Sequence, residues 1–178
     1  MLPLRSCLST KCNEVEIWRD RLAFRKLDSS VDRLATRIAG DPGDDQAIGI
    51  VTHSFGDWVA RAALAKQKTH RVGALVSIAP VMRAGFLPTL AYLLTGNLIP
   101  EIAVILDRNQ ASANIDCDPN LRRMVVWSKF DESLRRVDLA KYKNIQTRDV
   151  AATHLTIVLQ RNVHRLVNDC LFEPVDRL

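Results

Sequence analysis

Three residues pair a reactive side chain with a setting that exposes it: Ser54, Asp131 and His154. Ser54 lies in Ile48-Gly49-Ile50-Val51-Thr52-His53-Ser54-Phe55-Gly56, where an apolar run meets a helical pattern through Trp58, Val59, Ala62 and Ala63. A strand turning sharply into a helix strains the serine and lifts its Oγ clear. Such a hydroxyl attacks carbonyl carbon when a base takes its proton. The Phe55 N–H, at the helix N-terminus, faces the negative charge that then develops on oxygen. Asp131 closes Met124-Val125-Val126-Trp127-Ser128-Lys129-Phe130-Asp131, an acid just past an apolar run. His154 stands in Ala151-Ala152-Thr153-His154-Leu155-Thr156, just past another. Serine, oriented histidine and supporting acid suffice for acyl transfer, with neither metal nor cofactor expected.

Each residue also has a plainer use. Ser54 suits a helix N-cap, Asp131 the cap of a helix over 132–137, and His154 the start of a final helix reaching Leu171. Glu132 is the reserve acid, while Asp107 and Asp118 follow no strand. His53 is expected to point away from the site, His70 to occupy a turn, and His164 to be exposed.

Positioning these residues requires a sheet. β-rich runs at 15–18, 47–53, 72–79, 124–128 and 145–150 alternate with helical patterns, which predicts an α/β fold. Near-continuous apolar runs such as Ile48-Gly49-Ile50-Val51 predict a mostly parallel sheet of about five strands, with helices on both faces. Leu27, Val31, Leu34 and Ile38 recur at helical spacing behind cap candidates Asp28, Ser29 and Ser30. Gly40 and Asp41-Pro42-Gly43-Asp44 end that helix. The apolar stretch at 81–118 is either a cap over the site or a crossover packed on the sheet. Residues 1–13 are expected to be irregular.

One domain spans residues 1–178, without repeats or linkers. The net charge of +5 is spread over single arginines, among them Arg61, Arg122 and Arg123. That pattern reads as solvated surface and gives no sign of a nucleic-acid partner. Four cysteines without metal-ligand spacing are expected to be free thiols in a reducing compartment. Neither a secretory leader nor a transmembrane run is visible, so a cytoplasmic location is expected.

The Thr52-His53-Ser54-Phe55-Gly56 turn resembles the nucleophile elbow of the α/β-hydrolase superfamily, in particular its lipase-like and esterase-like members. The order serine, acid, histidine, each behind its own strand, is similar to that family's. Thr52 stands where glycine is usual and is expected to add crowding. The resemblance implies a hydrolase of carboxylic esters, with a small-molecule or lipid ester as substrate. Phe86, Leu87, Leu90 and Leu93 would form an apolar wall for its acyl group. It also implies a strand and a second oxyanion donor ahead of residue 15, for which the fourteen preceding residues lack room. The fold is therefore expected to be short at its N-terminal side, with 15–18 either paired to 47–53 or separated from it. Two rival readings share this pattern: a degenerate fold without catalysis, serving as an interaction module, and an acyltransferase on the same triad. The oligomeric state is not readable.

Overall fold

The computed structural model describes residues 2–12, 14–20, 23–24, 26–40 and 47–172. Four strands form one sheet in sequence order: β1 (Ile48–His53), β2 (Val72–Ile78), β3 (Arg122–Phe130) and β4 (Ile145–Thr153). Every neighbouring pair is parallel. The class is α/β, as the apolar runs predict, and the inner strands show why. Six of seven β2 residues are buried, and five consecutive residues of β3 are buried. A strand covered on both faces has no polar side to present.

The helices lie on both faces. α2 (Leu27–Ile38) and α3 (Phe55–Lys66) cover one, burying Val31, Ile38, Val59 and Leu64 against Val72 and Leu75. α1 (Leu2–Leu8) and α7 (Arg161–Phe172) cover the other, where Leu4, Leu8, Val163 and Val167 meet Val76, Met124 and Val126. Burying one such Leu or Val side chain contributes roughly 1.5–3 kcal/mol. Three further helices occupy the β2–β3 connection: α4 (Phe86–Thr95), α5 (Pro100–Leu106) and α6 (Arg108–Ala111).

Several expectations need correction. The sheet has four strands among the described residues, because 15–18 carries no regular secondary structure and pairs with no strand. Its side chains turn to helices instead. Val15 packs on the α1/α7 side, Trp18 lies under the Arg33 guanidinium at 5.5 Å, and Glu16 pairs with Arg37 at 3.2 Å. β1, which leads into Ser54, therefore forms an edge of the sheet among the described residues.

Within 1–13, the segment Leu2–Leu8 is helical, with Leu4 and Leu8 buried one turn apart and Pro3 tolerated in the first turn. α2 starts at Leu27, ahead of the expected caps, since Leu27 itself packs on the core. The turn expected at Asp41-Pro42-Gly43-Asp44 lies outside the described residues.

The final helix does not start at His154. That residue occupies a turn, followed by one 3-10 turn (Ile157–Leu159) and then α7. Thr153 and Thr156 hold the turn reciprocally: each hydroxyl accepts the other residue's N–H, at 3.0 and 3.3 Å. His164 is buried rather than exposed, donating from Nε2 to the Val158 carbonyl at 2.9 Å.

Arg61 and Arg123 are fully buried, against the solvated reading. Among the described residues, no helix is long and apolar enough to cross a membrane.

Candidate active site

Parallel strands bring their C-terminal ends to one edge of the sheet, where open α/β folds gather functional groups. Ser54 follows β1, Asp131 follows β3 and His154 follows β4. Ser54 has φ +55° and ψ −126°, a conformation that costs a non-glycine residue on the order of 1–3 kcal/mol. Its N–H still donates to the Ile78 carbonyl at 3.0 Å, so the sheet ladder holds up to the turn. α3 begins at the next residue, Phe55.

His154 Nε2 lies 3.0 Å from Ser54 Oγ, and its Nδ1 lies 2.8 Å from Asp131 Oδ2. The assignment consistent with an ionised aspartate has Nδ1–H donating to Asp131 and Ser54 O–H donating to Nε2. Asp131 is fixed from behind. Its Oδ1 accepts the Ser133 and Leu134 N–H groups at 2.9 and 2.8 Å. The capping reading of Asp131 thus holds in part, since the carboxylate does cap a turn, although no helix forms over 132–137. One oxygen orients the loop and the other faces the histidine. The imidazole and the carboxylate side chains are only 9% and 7% exposed, so water screens their interaction little.

A cleft of about 270 Å³ opens beside this trio, lined by Leu87, Pro88, Ala91, Ile102, Ile105 and Leu134 besides Ser54, Ser133 and His154. Within the 81–118 stretch, α4 and α5 line the cleft, while Val104 and Ala111 pack into the core. Of the four residues expected to form the wall, Leu87 lines the cleft. Phe86, Leu90 and Leu93 stay outside its lining and are 69%, 42% and 76% exposed. Their apolar character did not identify the facing side, because α4 is apolar nearly all round. Ala91 was missed for the same reason, and Ile102 and Ile105 because α5 is likewise apolar over most of its length.

Sequence reasoning also missed how the approach to α4 is attached to the acid loop. The chain entering α4 runs against the Asp131 loop, with Gly85 N–H donating to Ser133 O at 2.8 Å and Arg135 N–H to Arg83 O at 2.9 Å. A Cβ on Gly85 would fall 2.7 Å from the Ser133 backbone, so only glycine allows this approach.

At the elbow, Thr52 brings no crowding. A Cβ built on Gly56 would sit 3.8 Å from the Thr52 Cβ, an ordinary contact. Glu132 is exposed, Asp118 pairs with His70 at 3.2 Å, and Asp107 caps α6. None of the three joins the site.

A second depression, of about 470 Å³, is lined by residues 136–140 with Ile145 and Thr147, and holds no nucleophile. Among the described residues, no group of three or more His, Cys, Asp or Glu side chains could hold a metal ion. All four cysteines are free.

No family model matches this chain. No curated protein matches it either. Among solved structures it is similar to that of DcsB in complex with its substrate analogue, at 16% identity and a TM-score of 0.45, over 80% of this chain and 70% of that one.

Proposed function

We propose that this chain is a serine hydrolase of carboxylic esters with an α/β-hydrolase-type fold, working through an acyl-enzyme on Ser54. The observation that carries the reading is the unbroken chain from Ser54 Oγ through His154 to Asp131, at 3.0 and 2.8 Å. Three side chains from three separate loops meet hydrogen-bond geometry at one end of the sheet. An ordinary capping serine needs no such chain.

In this reading Ser54 Oγ attacks the ester carbonyl while His154 Nε2 takes its proton. The imidazolium is stabilised by Asp131, whose Oδ1 bonds keep the carboxylate from swinging away. Negative charge on the carbonyl oxygen turns toward the Phe55 N–H at the start of α3. His154 then returns the proton to the departing alkoxide, and water repeats the sequence in reverse to free the acid. The cleft wall of Leu87, Pro88, Ala91, Ile102, Ile105 and Leu134 favours an uncharged, apolar acyl group, since a charged one would lose hydration with nothing to replace it.

The test is a fluorophosphonate probe followed by peptide mapping, together with hydrolysis of 4-nitrophenyl esters. Labelling at Ser54 that disappears in Ser54→Ala is expected. Equal labelling of both proteins would end the proposal.

A further inference from the structure

His53 directly precedes the nucleophile, yet its ring does not point away from the site. Its Nε2 lies 2.9 Å from the His154 backbone carbonyl, and the two imidazole centroids are 4.9 Å apart at 37°. A carbonyl only accepts, so Nε2 carries the proton and donates it.

We propose that His53 is a positioning residue for the base: its Nε2–H ties the turn carrying His154 to the nucleophile's own strand. The proposal rests on the serine hydrolase reading above. His154 lies beyond the last paired residue of β4, in a turn held locally by the Thr153 and Thr156 hydroxyls. Those bonds fix the turn's shape. They do not fix its distance from Ser54. His53 does, because its backbone is locked in β1 opposite Ile78 while its side chain holds the base's main chain. Nucleophile and base are thereby attached to neighbouring residues of one rigid strand.

Acyl transfer tolerates little slack, and a displacement of about 1 Å can cost 10²-fold in rate. Burial also pushes the His53 pKa down, with His154 and Asp131 as its charged or titratable neighbours. A neutral ring keeps a second positive charge away from the imidazolium that forms on His154.

The variants His53→Phe and His53→Gln separate the donor from the ring. Phe keeps the ring and loses the N–H. Gln loses the ring but places an amide nitrogen as many bonds from Cβ as Nε2. Two readouts apply: the rate of Ser54 acylation by a fluorophosphonate or 4-nitrophenyl acetate, and the low-field proton resonance of the His154–Asp131 hydrogen bond.

His53→Phe is expected to slow acylation roughly 10- to 100-fold, with KM little changed, and to broaden the resonance. His53→Gln is expected to recover most of both. If His53→Phe does not fold, His53→Asn, whose amide stops one bond short, replaces it with the same expectation.

Acylation at the wild-type rate in the donor-less variant would overturn the proposal, as would a folded His53→Gln no better than it. If the wild type labels no more than Ser54→Ala, the hydrolase reading fails. The resonance alone then decides whether His53 holds the base in place.

Discussion

Two aspartates organise the two polar networks of this molecule, and they meet opposite partners. Asp131 faces His154 beside an open cleft, and its partner can gain or lose a proton. Asp57, three residues past the nucleophile, is completely buried. It accepts from Arg61 Nε at 2.7 Å and from Ser77 Oγ at 2.6 Å, with Arg123 Nη2 at 3.9 Å. Arginine does not deprotonate in proteins, so this second network cannot move a proton.

It joins pieces instead. Arg61 donates to the Val81, Ala111 and Ala113 carbonyls, and Arg123 to that of Ile115, so α3 is fastened to both ends of the 81–118 segment. The surroundings are dry enough that burial pushes the adjacent Cys117 thiol up, despite Arg123 and Arg61 lowering it. One carboxylate thus orients a histidine beside a serine, and the other ties elements together. What separates them is the partner's chemistry, an imidazole that can take up or release a proton against a guanidinium that cannot, since both carboxylates are hydrogen-bonded at similar distances.

Substitution should split the two networks cleanly. Ser54→Ala is expected to abolish ester turnover, a loss on the order of 10⁶ where residues act as a unit, with thermal stability hardly changed. Adding His154→Ala should then cost almost nothing more. Kinetics on the single and double variants check this, and additive losses would show that the residues do not act together.

Asp57→Asn should do the reverse. It leaves two buried guanidinium groups without a counter-charge, and breaking such a pair costs about 3–5 kcal/mol. Thermal unfolding should drop by roughly 10 °C, while acylation per folded molecule stays near wild type. Arg123→Met should cost less than Asp57→Asn, because Arg123 Nε and Nη2 have no hydrogen-bond partner to lose and only the bond to the Ile115 carbonyl goes, while Asp57 keeps Arg61. Severe destabilisation by Arg123→Met alongside a harmless Asp57→Asn would invert the comparison.

The two networks also differ in how far sequence exposes them. The elbow is legible because a strand, a strained turn and a helix leave marks at fixed positions, and the acid and base follow strands that are themselves apolar runs. The second network left one mark, the i, i+4 spacing of Asp57 and Arg61, which reads equally as a surface pair. Which face of α3 is buried depends on α2 and the 81–118 segment, and no local pattern encodes their placement. Residues 15–18 mislead for a related reason. Val15, Ile17 and Trp18 have strand propensity, but pairing depends on an adjacent edge, and Glu16 is taken by Arg37 of α2 instead, with Asp20 just beyond the segment taken by Arg33.

Gly85→Ala probes the seam where the approach to α4 and the acid loop meet. Its Cβ would strike Ser133 backbone at 2.7 Å and the Glu132 carbonyl at 2.9 Å, so one of the two segments must move. Overpacking of this kind costs about 1–3 kcal/mol. Because one of the two segments follows Asp131 and the other leads into α4 beside the cleft, acylation should also slow, by roughly 10-fold. A variant as stable as wild type with full acylation would show that the approach to α4 is not seated on the acid loop.

The smallest effects belong to the elbow, where backbone strain and side-chain crowding can be told apart. Ser54 holds φ +55° with ψ −126°, and that conformation costs an L-residue on the order of 1–3 kcal/mol that glycine avoids. Glycine in turn loses more chain entropy on folding, about 0.5–1 kcal/mol. The strain is the larger of the two, so Ser54→Gly should exceed Ser54→Ala in stability by about 1 kcal/mol, both inactive. Gly56 is different. It has no left-handed φ, and an added methyl would meet only the Thr52 Cβ at 3.8 Å. Gly56→Ala should therefore leave stability unchanged or raise it by up to about 1 kcal/mol, and leave Ser54 labelling intact. Denaturant unfolding of both variants measures the contrast. A large loss in Gly56→Ala would mean that close approach of strand and helix, rather than the serine's own backbone, stores the strain of the turn.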